Sequence, residues 1–427
     1  MNKLFLFLLI GLSIFSCQPK SNPDPAVSKA FNEFLDRKFD EMLQRTPEYA
    51  ASLGFKYNYG QWNDRSIESY HKELKIKQEI LDSLKKFDVS KLDSQSQLSL
   101  RLFEEDVKNA LEGQKWEGYY YELNQMGGVV TDMPAFLVNV HSVDTIADAE
   151  DYIQRLYNYK KPFQQTIDNL KYSQSLGVVP PAFTFHYVKE SIEGMIKSLS
   201  NAENNDIIND FKAKVAKLNG VSDAKKQGMV EAAKKAIADN VIPAYQDMDV
   251  YWDSYSQQAK ASNGVWALPK GDEYYKYCLK SNTTLGLTPD EVYETGLKEV
   301  ARIHAEMRVI MKKVNFKNDS LQEFFDFVRN DKQFQYSADA AGRKALLADA
   351  TRYFEETQKK LPELFNTFPK APCKVMAVES FREKSAGGAF YENPTLDGKR
   401  PGRYYVNLYN MKDNPKYQLE ALTAHEA

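Results

Sequence analysis

Residues Gly387–Ala427 read GGAFYENPTLDGKRPGRYYVNLYNMKDNPKYQLEALTAHEA. The stretch has three pieces. Gly387-Gly388-Ala389-Phe390-Tyr391 is a short apolar run opened by two glycines, which let another backbone approach closely or simply make a turn. Arg403-Tyr404-Tyr405-Val406-Asn407-Leu408-Tyr409 is rich in aromatic and β-branched residues and reads as a strand. Asn414-Pro415 is expected to open a helix, with Asn as N-cap and Pro at the first helical position. That helix carries Leu419, Leu422, His425 and Glu426.

A helix bearing His-Glu after a strand points to zinc chemistry. His425 is the candidate metal ligand, on the helix face it shares with Ala421 and Leu422. Glu426 is rotated by about 100° on the helix, beside the metal-bound water, where a carboxylate serves as general base. The bland reading is a His-Glu pair on an ordinary helix surface.

The layout is similar to oligopeptidases of the thimet type, in which a glycine-led edge pairs with substrate backbone. A closer resemblance is to the bacterial family labelled domain of unknown function 885, whose members look like gluzincin-type zinc peptidases. The family's site helix reads His-Glu-Ala-x-Pro-Gly-His, which this chain enters with His425-Glu426-Ala427. The preceding family block stands here as Asp397-Gly398-Lys399-Arg400-Pro401-Gly402 followed by Tyr404 to Leu408. Thr46-Pro47 through Leu53-Gly54, Tyr274-Tyr275 through Thr288-Pro289, and Gly296-Leu297 through Val300-Ala301-Arg302-Ile303 match as well. The second motif histidine and the later ligand carboxylate are not in the sequence.

The resemblance implies one zinc ion on three protein ligands with an open position, of which His425 is one, and a peptide substrate. The chain as given is then expected to be an incomplete and inactive form that binds zinc weakly or not at all. Gly388, Ala389 and Tyr391 are the candidate substrate-side edge. Arg400 suits a bidentate contact to a peptide carboxylate, or a structural ion pair under the strand.

Outward from this stretch, the N-terminus is a targeting segment. Lys3 precedes a mostly apolar run, Leu4 to Ile14, too short to span a bilayer. Ile14-Phe15-Ser16-Cys17 resembles a lipoprotein cleavage site, with Cys17 the acylated residue; a plain secretory signal is the alternative. The expected order is a signal peptide over 1–16, a tether over 17–26, a helical region over 27–270 and the start of the catalytic region over 271–427, the last two forming one family domain. The expected location is the bacterial cell envelope, with the lipid as membrane anchor.

Lys plus Arg is 56 and Asp plus Glu 59, a net charge of −3, which argues against nucleic-acid partners and a polybasic membrane surface. Beyond Cys17 only Cys278 and Cys373 remain. Export permits a disulfide between them; buried thiols are the alternative.

Helical periodicity dominates from Val27 onward. Phe31, Phe34, Leu35, Phe39, Met42 and Leu43 recur at helical spacing. Thr46-Pro47-Glu48 starts a short helix that Gly54 closes. Ser66–Phe87, Ser96–Leu111, Asp148–Leu176 and Ser222–Ile242 read as helices, and Met133-Pro134 restarts the pattern after Gly127-Gly128. Thr288-Pro289-Asp290-Glu291 is a capping box, and the helix it opens is expected to bury Val292, Val300, Ile303, Met307, Ile310 and Val314. His71, His141, His186 and His304 have no metal-ligand spacing around them. Strands are expected at Cys373–Val378, Gly388–Tyr391 and Arg403–Tyr409. The fold expected is mainly α, a large multi-helix domain with a small sheet beside the terminal helix. The function expected is an exported, lipid-anchored zinc peptidase. The competing reading is a non-catalytic surface lipoprotein that binds glycans or peptides.

Overall fold

A computed structural model describes residues 22–259, 264–379, 382–384 and 386–426. The expected signal segment, the start of the tether and Cys17 lie outside the described residues. Among the described residues helix accounts for 67%, and the strands are three short segments, so the mainly α expectation holds. No helix among the described residues is long and apolar enough to cross a membrane.

The chain divides into two compact units. One takes the N-terminal segment through Glu41 together with His71–Gln114; the other takes Met42–Tyr70 and Lys115–Ala427. The chain opens with α1 (Pro25–Arg45), α2 (Pro47–Ser52), α3 (Ile67–Leu84) and α4 (Ser94–Glu112). The first unit buries Phe31, Phe34, Ile80, Leu84, Leu100 and Val107 around Phe87, whose ring stands edge-on to Phe31 at 5.2 Å. Asp93 caps α4, its carboxylate accepting from the Ser96 amide at 2.8 Å.

The second unit holds a helical block of α5 (Val129–Asn139), α6 (Ile146–Tyr157), α7 (Lys160–Ser175), α8 (Ala182–Leu199), α9 (Asp206–Ala216), α10 (Asp223–Ala236) and α11 (Ile242–Ser256). Its core gathers Tyr152, Tyr159, Phe163, Phe211, Tyr245 and Trp252. Three sequence expectations need correcting here. Pro134 lies inside α5 and does not restart a helix. A proline leaves the carbonyl four residues back without its helical donor, and the Tyr245 hydroxyl donates to that carbonyl, Val130 O, at 2.6 Å. Asp148–Leu176 is two helices, because Pro162 belongs in a first turn and the chain bends at Asn158–Tyr159 just before it. The Ser222–Ile242 helix runs on into α11 through one π turn, Ile237–Val241.

Next come α12 (Gly271–Thr283), α13 (Pro289–Lys313), α14 (Leu321–Asn330) and α15 (Ala340–Lys360). The capping box of α13 forms as expected, with Glu291 N on Thr288 Oγ1 at 3.2 Å and Thr288 N on Glu291 Oε2 at 2.8 Å. The buried stripe does not. Met311 is the buried residue of this helix, while Val300, Ile303, Ile310 and Val314 are exposed. The periodicity marks an amphipathic helix correctly, but no described element covers its apolar side.

The sheet has order β1-β3-β2, with β1 (Cys373–Ala377) parallel and β2 (Ala389–Glu392) antiparallel to the central β3 (Gly402–Val406). β3 ends before the expected Tyr409: one more backbone bond, from Asn407 N–H to Gly388 O, follows Val406, and beyond it the Asn407 side chain takes over the bonding. The final helix α16 spans Lys416–Glu426. Asn414 is not its side-chain cap: the amide of Asn414 donates to the Asn407 carbonyl at 2.9 Å and ties strand end to helix start. Phe316, Phe324, Phe327 and Phe334 form a chain of ring contacts that ends on Tyr417 of α16 at 5.8 Å.

Candidate functional site

Side chains alternate across the sheet. Tyr404 and Val406 of β3, with Val375, Ala377 and Ala389, point into the core under α15 and α16. Leu419 and Thr423 are the buried residues of α16, and Thr423 Oγ1 lies 3.2 Å from the Tyr404 hydroxyl. Two residues on, His425 is exposed and Glu426 half-buried. Burial pushes the Tyr404 phenol up, the hydrogen bond with Thr423 works against the shift, and the Glu426 carboxylate adds to it.

Gly388, Ala389 and Tyr391 are brought to the same sheet. Ala389 pairs with Val406 and Tyr391 with Tyr404, so both share the face that carries α16. Among the described residues β2 is an outer strand, bonded to β3 on one side. Phe390 points to the opposite face and stacks on Tyr405 at 4.9 Å, with the Arg382 guanidinium over both rings at 4.9 and 5.1 Å. A cleft of about 290 Å³ runs by the start of β2, lined by Met126, Thr131, Asp132, Arg382, Gly387 and Phe390.

Asn407 holds this arrangement. Its amide donates to the carbonyls of Glu383 at 2.7 Å, Ala386 at 3.0 Å and Gly387 at 3.2 Å. Its own backbone N–H reaches Gly388 O at 2.9 Å. The glycine-led segment is therefore positioned from the end of β3.

Arg400 goes elsewhere. Its guanidinium donates to the Ser52 carbonyl at the end of α2, and its backbone amide to Thr395 Oγ1 at 3.0 Å. It lines a second cavity, about 460 Å³, with Gly54, Lys56, His141, Lys214 and Arg403. Gly54 has φ +94°, and a Cβ there would stand 3.0 Å from Thr395 Cβ. Sequence reasoning missed this cavity, since its residues are scattered from Ala51 to Arg403 with no local pattern. His141 is fully buried in its wall, with Nε2 3.0 Å from Asp148 O, and burial pushes its pKa well down, so the ring stays neutral.

Cys278 and Cys373 are free, partly buried thiols. Of the two sequence readings, the structure carries this one. Among the described residues no three of His, Cys, Asp and Glu gather into a group able to hold a metal ion. A zinc peptidase centre needs three protein ligands, so the described residues do not by themselves fit one.

The class defined to this point is a helix-rich protein with a three-stranded mixed sheet, an open strand edge and a terminal helix with His-Glu at its end. The chain belongs to the family described as bacterial protein of unknown function (DUF885), whose profile matches residues 47–427. Its fold is similar to the crystal structure of a protein from Colwellia psychrerythraea described as a candidate lipoprotein, with a TM-score of 0.84 and 24% identity over 94% of this chain and 71% of that one. No curated protein matches the sequence.

Proposed function

We propose that this protein is a cell-envelope lipoprotein acting on peptides, with the free edge of β2 as the peptide-binding strand and α16 as the start of a zinc peptidase site. The observation that carries the reading is that α16, which bears His425 and Glu426, packs on the sheet face shared by Ala389 and Tyr391 of β2. An unpaired strand edge offers alternating N–H and C=O groups, which an extended peptide satisfies by adding a strand. His425 supplies one imidazole, and Glu426 a carboxylate one residue on. The zinc would need further ligands from outside the described residues. Its chemistry, when bound, is that of a Lewis acid. Lipid anchoring rests on Ser16-Cys17 after the apolar leader, and the similar protein from Colwellia psychrerythraea carries the same description.

One experiment tests the reading. The protein is expressed in a bacterial host with whatever coding sequence follows the Ala427 codon, labelled with fatty acid, and assayed for zinc and for cleavage of a mixed peptide library. The expected results are label lost in Cys17→Ser, zinc lost in His425→Ala, and zinc kept in Glu426→Gln with cleavage down by about 10²–10⁴-fold. A protein that takes up no zinc, or cleaves as well with Gln at 426, removes the peptidase reading and leaves a binding lipoprotein. Unlabelled wild-type protein removes the anchor.

A further inference from the structure

The cavity around Arg400 is built from cations. Lys56, Lys214, Lys217, Lys399, Arg400 and Arg403 line it, against the two carboxylates of Asp144 and Asp397. The whole chain is net negative, so this concentration of positive charge is local. Some of it is matched. Lys56 Nζ reaches Asp148 at 2.8 Å and Asp144 at 3.0 Å, Lys214 reaches Asp210 at 2.7 Å, and Lys399 reaches Asp397 at 3.2 Å. Arg403 has a distant partner in Glu392 at 3.7 Å.

Arg400 is different. Its guanidinium meets a neutral carbonyl, and its Nε is buried with no hydrogen-bond partner among the described residues. The amide nitrogen of Asn139, on the same wall, is likewise buried and unpartnered. Buried donors in native proteins nearly always find acceptors, so two unmatched donors beside this cavity add to its shortage of negative charge. The charges also oppose one another. Burial pushes the Arg400 guanidinium down, and the charge of Arg403 adds to that. Burial pushes Lys214 down too, with Asp210 working against the shift and Arg403 and Lys217 adding to it. Behind Tyr59, Arg155 is fully buried with no hydrogen bond from its guanidinium to any described residue, held over Phe136 at 4.3 Å and Tyr59 at 5.3 Å.

We infer that this cavity is a binding site for a small oxyanion, a molecule carrying phosphate or carboxylate groups, recognised by Arg400 with Arg403 and Lys217. An arginine fork suits either group, and the polar wall of a cavity this size suits a molecule larger than the bare anion. Arg403 and Tyr405 lie on the sheet face opposite Tyr404, so the site does not depend on the peptidase reading.

The test is titration calorimetry on the full chain at low ionic strength, with inorganic phosphate and citrate as separate probes. Saturable binding of one or both is expected, weakened by about tenfold in Lys217→Ser and in Arg400→Lys. Lys217 is exposed, so its variant folds even if the Arg400 variant does not. Arg302→Gln, an exposed arginine on α13 paired with Glu299 and Glu306, should leave binding unchanged. Tighter phosphate binding assigns a phosphorylated ligand; tighter citrate binding assigns a carboxylated one. The inference falls if neither probe gives saturable heat, if Lys217→Ser binds as wild type, or if Arg302→Gln weakens binding as much as Lys217→Ser does.

Discussion

Asn407 shows how one side chain sets the geometry of a whole segment. Its single NH2 group lies within reach of three carbonyls of the chain that leads to β2, and its Oδ1 accepts from the Tyr409 amide at 2.9 Å. Removing it leaves those carbonyls to water or to nothing. Asn407→Ala should cost about 2–3 kcal/mol in urea unfolding, at roughly 1 kcal/mol per hydrogen bond lost. Asn407→Asp should cost as much, since a carboxylate keeps the acceptor for Tyr409 but has no hydrogen to donate. An aspartate variant as stable as wild type would show that donation is not what holds the loop. The residue was visible in the sequence as part of an aromatic strand followed by Asn-Leu. Its role was not, because the partners are backbone oxygens placed by a loop whose path no side-chain pattern encodes. The same limit applies to Arg400, whose contact at Ser52 is 348 residues away in sequence.

At the level of elements, helix starts were the most legible feature, since a cap is a local chemical event. Thr288 and Glu291 form the box their spacing predicts. Thr145 and Asp148 form another at the start of α6, one the sequence reading passed over. There the Asp148 carboxylate accepts from the amides of Thr145 at 2.8 Å and Asp144 at 3.0 Å, and meets Lys56 Nζ at 2.8 Å. Burial alone would raise its pKa, but these hydrogen bonds and the Lys56 charge hold it below the ordinary value of 3.8. A depressed carboxylate stabilises the fold above its unfolded pKa, and the contribution fades as pH falls through the folded one. Asp148→Asn should therefore cost about 1–2 kcal/mol at neutral pH, with the gap to wild type narrowing below pH 3.8. Unfolding curves at stepped pH measure it; a gap that is constant down to pH 2, near the floor of the carboxylate range, would assign the loss to packing. Helix ends and breaks were less legible than starts. At the bend before Pro162 the Arg155 carbonyl accepts from the Trp62 indole at 2.9 Å, a partner 93 residues away that no local pattern announces.

At the level of the whole molecule, the helix-rich architecture and the small terminal sheet were readable because periodicities of 3.6 and 2 survive in the sequence. Burial was not readable to the same degree. An amphipathic stripe states that a helix has an apolar side; it does not state that something lies against it. α13 is the case in point, with Val300 and Ile310 each 50% exposed and Val314 57% exposed. Contiguous apolar surface of this kind attracts other apolar surface. In a tube, this makes the protein's behaviour a matter of concentration and solvent. The chain should light up a hydrophobic dye such as anilinonaphthalene sulfonate while still natively folded, and its sedimentation coefficient should climb as it is concentrated. Paired Ile303→Lys and Ile310→Lys changes, each four residues after a glutamate, should quench the dye signal and hold the sedimentation coefficient steady without lowering the unfolding midpoint, because side chains already in water contribute little to the fold. A lowered midpoint would mean the stripe is covered after all. Anyone purifying the protein would meet α13 first as a solubility problem, cured by two charges on one helix.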